Sequence, residues 1–250
     1  MWWSIRGRCR RLAAAGLLVL FAGLAPARPA RQTGEARDYA KIFGRNYRQA
    51  LDFIQRNRRI DETFRICDID PAFAWAVVFP EMIRWSALSD VIETSNLRVL
   101  YVQFGKGYSD FSIGRFQMKP SFAETLESDF NRLIERSEKE RIGLAAFGTG
   151  DTVENRRARV ARLTDLGGQV RYLIAFIRVV ERIYAKETWP SVEDKLRFFA
   201  TAYNAGYRRG AAALRKESIL LRFHTGIIFS KPAYSYAGIA LDFFRKFPSI

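Results

Sequence analysis

The sequence predicts a mainly α-helical fold carrying one small irregular or β-hairpin insert. Three observations predict it. Apolar residues recur at three- and four-residue spacing in segment after segment. Helix-start signals precede several of these segments. The one stretch that breaks the pattern, residues 105–116, is rich in Gly, Ser and Asp. At 250 residues, 48% hydrophobic and 27% charged, the chain has a soluble globular composition and room for one domain with a sizeable core.

The N-terminus reads as a leader. Arg6, Arg8, Arg10 and Arg11 form a basic region, Leu12 to Leu24 an apolar one, and Ala25-Pro26-Ala27 offers small residues for a cut after Ala27. This is the order of a secretory signal peptide, assigned to residues 1–27. The apolar run is shorter than the roughly 20 residues a spanning helix needs. No cysteine follows it for a lipid anchor, and no second segment is apolar enough to span. The mature chain is therefore expected in the periplasm or cell envelope, with no stable membrane span. Cys9 leaves with the leader. Cys67 alone cannot form an internal disulfide, and its place beside an apolar run suggests a buried, inert thiol. With His224 the only histidine, no metal site and no cofactor are expected.

The formal net charge is +15, and removing the four leader arginines leaves about +11. Such a chain seeks anionic partners. Export argues against nucleic acid and leaves carboxylate-bearing envelope polymers.

Beyond the leader, residues 28–69 are expected as an arm and helix preceding a domain over 70–250. Tyr47, Ala50, Leu51 and Ile54 predict a helix over about 38–58. Asp68-Ile69-Asp70-Pro71 opens the next helix. Its stripe is Ala74, Val77, Val78, Glu81, Trp85 and Leu88. Residues 97–104 are ambiguous between strand and helix. Ser121-Phe122-Ala123-Glu124 has the form of a capping box. Residues 140–155 read as a connecting loop. A long helix follows over about 167–187, another opens at Ser191, and the last runs from Tyr236 to Phe247.

Four segments stand out chemically. Glu81 shares an apolar helical stripe, where its charged form is disfavoured and its pKa raised, as a general acid requires. Pro80 before it removes a backbone donor and should bend the helix. A plainer reading pairs Glu81 with Arg84 or water. In Gly114-Arg115-Phe116-Gln117-Met118-Lys119-Pro120, Gly114 permits close backbone approach and Gln117 offers a donor and an acceptor for sugar groups. Ala202-Tyr203-Asn204-Ala205-Gly206 places Tyr203 on an apolar face, where its hydroxyl needs a partner; Glu81 is a candidate. Tyr234-Ser235-Tyr236-Ala237 opens the last helix. Each segment alone fits an ordinary structural role.

In this order, the four segments resemble the catalytic domain of soluble lytic transglycosylases, a branch of the lysozyme-like superfamily. That family has a catalytic Glu on a helix, then a Gly-Leu-Met-Gln-Leu-Met-Pro-like segment, then Ala-Tyr-Asn-Ala-Gly, then a Tyr-Val. The second segment here shares glycine, glutamine, methionine and proline with its counterpart; the third matches in full; Tyr236-Ala237 is similar to the fourth. Gly168–Leu173 also looks like the family's helix before the third motif. The resemblance covers roughly 70–245. It implies a lysozyme-like domain that cleaves the MurNAc–GlcNAc bond of peptidoglycan glycan strands and leaves 1,6-anhydro-muropeptides. Glu81 is implied as acid and then base, with Tyr203 and Tyr236 positioning it or stabilising the intermediate. Gly114, Phe116, Gln117, Met118 and Asn204 are implied to contact the strand; Tyr101, Tyr108, Phe116 and Tyr207 are candidates for stacking on sugar rings, with an ordinary core or surface aromatic as the plainer reading of each. The sequence departs from the family at Met82, where a Ser usually follows the Glu, with Ser86 a candidate substitute. Arg115 and Lys119 stand at apolar positions of the second motif. Two rival readings remain: a hydrolytic muramidase using Asp110 as second carboxylate, and a peptidoglycan-binding protein that does not cut.

Overall fold

The computed structural model describes residues 37–88, 95–148, 150–226 and 232–248. The expected leader with Cys9, and the arm up to residue 36, lie outside the described residues. Among the described residues there are twelve helices and two isolated antiparallel bridges, Ile113–Met118 and Phe223–Tyr234. The helices are α1 (Tyr39–Phe43), α2 (Arg45–Arg56), α3 (Ile60–Ile66), α4 (Pro71–Leu88), α5 (Ser95–Phe104) and α6 (Pro120–Leu133). They continue with α7 (Arg136–Arg141), α8 (Val153–Thr164), α9 (Leu166–Ile183), α10 (Val192–Ala205), α11 (Ala211–Glu217) and α12 (Tyr236–Lys246). The chain is mainly α, and no described helix is long and apolar enough to cross a membrane.

The fold is organised around α4. Residues 71–83 are buried without a break, because Ala, Val, Phe, Trp and Met occupy every side of this stretch. A helix apolar all round must be surrounded, and α2, α3, α9, α10 and α12 all pack against α4. Residues 39–69, expected to precede the domain, place Tyr47, Ala50, Ile54 and Phe64 in this same core. Asp70 opens α4 by accepting from the Ala72 amide at 2.9 Å, and Pro71 takes the first helical position. Asp165, Ser191 and Ser235 cap α9, α10 and α12 in the same way, each accepting from the amide three residues on.

Several expectations need correction. The helix over 38–58 is two helices, broken at Gly44 with φ +48°. Residues 97–104 are helical in α5. The capping box is not formed: α6 starts at Pro120, Ser121 bonds to Asp110, and Glu124 binds Tyr101 and Lys106. The long helix ends at Ile183, and α8 begins within the stretch read as loop.

Two buried carboxylates tie the outer helices to the core. Glu127 of α6 accepts from Arg159 at 2.6 and 2.9 Å, from Arg162 at 2.8 Å, and from the Tyr172 hydroxyl. Asp129 accepts from Arg208 at 2.6 and 2.7 Å and from the Tyr207 hydroxyl at 2.9 Å. These bonds link α6 to α8, α9 and the turn after α10. Cys67 is buried, its thiol 3.5 Å from the Ile142 carbonyl, and burial pushes its pKa up.

Candidate active site

Glu81 lies midway along α4, one residue after Pro80. Proline has no N–H, so the helix continues through this point with one fewer hydrogen bond. Glu81 is 5% exposed, and its Oε2 has no hydrogen-bond partner among the described residues. Burial pushes its pKa up to about 7, against a partial pull downwards from the Arg84 charge. That guanidinium is 3.7 Å from Oε2, too long for a hydrogen bond, and lies 6.0 Å from the Phe223 ring centroid. Both expected environments are therefore present: an apolar stripe that disfavours the carboxylate, and an arginine that only partly offsets it.

The second segment is a tight turn. Ile113 and Met118 pair as an antiparallel bridge, the Ile113 amide donating to Met118 O at 2.9 Å. Gly114 O accepts from both the Gln117 amide at 3.1 Å and the Gln117 side-chain nitrogen at 2.8 Å. Gly114 has φ +70°, and a Cβ there would lie 2.5 Å from the Gln169 amide carbon. Glycine is required on both counts. Gln169, buried on α9, accepts from the Phe116 amide at 3.0 Å. Gln117 itself has φ +50°, a strained conformation for a side-chain-bearing residue. Its side-chain nitrogen serves the turn and is half-buried with it.

The two tyrosines lock the segments together through backbone carbonyls. The Tyr203 hydroxyl donates to Phe116 O at 2.7 Å, and the Tyr236 hydroxyl to Val77 O at 3.0 Å. Tyr203 thus binds the turn rather than Glu81, correcting the expected pairing. Burial holds both phenols protonated, their pKa values well above 10, and the Glu81 charge adds to this effect. These bonds join the four segments in two pairs, Tyr236 to the helical turn before Glu81 and Tyr203 to the turn at 113–118, and the Glu81 charge acts on both phenols.

The remaining expected residues divide by exposure. Phe116 and Met118 are interior, and Phe116 packs edge-on to Trp75 at 6.1 Å. Their side chains build the turn and do not reach a strand lying outside it. Tyr101 and Tyr207 are also interior, bonded to Glu124 and Asp129, so neither offers a ring face for stacking. Tyr108 is 73% exposed. Asn204 is exposed at the end of α10, beside Tyr236 in a narrow crevice. Ser86 donates to Met82 O at 3.0 Å, within its own helix, and Met82 is core. Asp110 accepts from the Ser121 amide at 3.0 Å and its hydroxyl at 2.8 Å.

Sequence reasoning named Gln169 only as part of a helix and gave it no role. Its signal was a glutamine on an otherwise apolar helical face, where a buried amide must find partners. A cavity of about 590 Å³ lies elsewhere, between α6, α8 and the residues Gly148, Gly150 and Asp151. Its charged walls (Glu124, Glu127, Arg159 and Arg208) already pair with one another or with Asp129, so it reads as the edge of the structural ion network.

No known family model matches the chain, and no curated protein or solved structure matches it.

Proposed function

We propose that this chain is an exported, lysozyme-like lytic transglycosylase acting on the peptidoglycan of the bacterial cell envelope. The observation that carries the reading is Glu81: a buried carboxyl whose Oε2 accepts no hydrogen bond and whose pKa lies near 7, its charge acting on both Tyr203 and Tyr236. A general acid near neutral pH needs this state.

The chemistry follows from one carboxyl. Protonated Glu81 donates its proton to the oxygen linking N-acetylmuramic acid to N-acetylglucosamine. The C1–O bond breaks through an oxocarbenium-like transition state. The Glu81 carboxylate then takes the proton of the muramyl 6-hydroxyl, whose oxygen bonds to C1 and closes the 1,6-anhydro ring. Glu81 ends protonated, ready for another cycle. The Gln117 oxygen accepts from the strand, and the exposed Asn204 offers a further polar contact. Tyr203 and Tyr236 act as positioning residues through Phe116 O and Val77 O. The Ser121 bonds that occupy Asp110 favour this route over hydrolysis, which needs a second carboxylate free to activate water.

The test is digestion of purified peptidoglycan by the mature chain and by Glu81→Gln, with mass analysis of released fragments. Anhydro-muropeptides from wild type alone support the reading. Reducing-end products would replace it with hydrolysis. Binding to sacculi without products from either protein would replace it with a non-cutting binder.

A further inference from the structure

Arg115 has an unusual setting. It is half-buried in the turn at 113–118, immediately after Gly114. Its guanidinium carbon lies 4.2 Å from the Phe53 ring centroid and 3.9 Å from that of Trp85. Trp85 is one helical turn beyond Glu81 on the same face of α4. Phe53 belongs to α2, so the N-terminal helices contribute directly to the site's surroundings. Among the described residues Arg115 has no carboxylate partner. Its neighbour Lys119 is drawn to Asp110 at 3.9 Å, and Arg84 to Glu81. Burial lowers the Arg115 pKa, the mark of a cation short of solvent and of a counter-charge.

Aromatic faces stabilise a guanidinium from above or below and leave its in-plane N–H donors free. Those donors match the two oxygens of a carboxylate. From this geometry we infer that Arg115 is a strand-recognition residue whose guanidinium, held by Phe53 and Trp85, binds a carboxylate of the glycan strand beside the bond that Glu81 cleaves. The inference rests on the proposed glycan reading and names the substrate chemistry within it. A muramyl residue supplies such a carboxylate either on its lactyl group, when no peptide is attached, or along an attached peptide.

The experiment uses the mature chain, Arg115→Met and Arg115→Lys. Four strand preparations are compared: with stem peptides and enzymatically stripped of them, each untreated and with carboxylates converted to neutral amides. The readouts are the initial rate of fragment release and, in the Glu81→Gln background, equilibrium binding. Wild type is expected to prefer untreated strands by roughly 10- to 100-fold, the range for a hydrogen-bonded charged pair. In Arg115→Met that ratio falls close to one. Arg115→Lys, which keeps the charge but not the planar fork, falls between. A preference confined to stripped strands assigns the lactyl carboxylate; one confined to peptide-bearing strands assigns the peptide. Equal loss on untreated and amidated strands would reveal a structural role and overturn the inference. So would a wild-type ratio of one. Binding in the Glu81→Gln background keeps the two proposals separable: if no strand is cut, the cleavage reading fails while carboxylate preference is still measured.

Discussion

Glu81 makes a stability prediction independent of any substrate. Its carboxyl titrates near 4.5 when solvated and near 7 in the folded chain. Between these values the folded state holds a proton that the unfolded state has lost. Stability therefore falls as pH rises through this window. The favourable contribution is fully present below pH 4.5 and is lost as pH climbs past about 7. At 1.36 kcal/mol per pKa unit, the loss is ~3 kcal/mol by pH 8. Glu81→Gln keeps the shape and cannot ionise, so it does not lose this stability. The assay is urea unfolding of both proteins from pH 4.5 to pH 8.5, followed by tryptophan fluorescence. The difference between the two curves removes every other titrating group common to both. The variant should gain ~3 kcal/mol over wild type across the window, or roughly 6–12 °C in Tm for a chain of this size. Curves that stay parallel would show that Glu81 ionises freely in the fold, and the general-acid argument would fall with them.

Three further outcomes are expected. The cleavage step needs Glu81 protonated, so kcat/KM on glycan strands should fall about tenfold per pH unit above pH ~7; an activity flat to pH 9 would exclude Glu81 as the acid. Gly114→Ala meets both a left-handed backbone and the Gln169 amide, and should lower stability by about 1–3 kcal/mol in denaturant unfolding; no change would mean that the turn relaxes freely. Glu127→Ala takes from the buried Arg159 its nearer carboxylate, leaving Glu124 at 3.4 Å, and should cost about 3 kcal/mol, read by calorimetry; a loss under 1 kcal/mol would show the network to be dispensable.

Much of the fold was legible because its signals are local. Asp70-Pro71, Ser191 and Ser235 cap helices through bonds to amides two or three residues away, so short sequence windows contain the whole interaction. Gly206 likewise ends α10 with φ +95°, a left-handed conformation that glycine adopts freely. The short helix α8 was missed because its apolar residues are few among arginines. What holds it is Arg156 bonding to Val102 O at 2.9 Å and Arg159 to Glu127 at 2.6 Å, partners more than thirty residues distant. The capping box failed for a related reason: Asp110 and Tyr101 competed for Ser121 and Glu124 and prevailed.

The sequence by itself determined the helical class, the order of the four chemical segments and the apolar setting of Glu81, because hydrophobic period and residue type survive without coordinates. Tertiary structure decided which groups face one another. It gave Tyr203 and Tyr236 to backbone carbonyls, tied Asp110 to Ser121, withdrew Phe116, Met118, Tyr101 and Tyr207 into the interior, and set Arg115 against Phe53 and Trp85. The physical reason is common to all of these. A hydrogen bond or ring contact forms with whatever lies within a few ångströms, and that neighbourhood is set by how α2, α9, α10 and α12 close around α4.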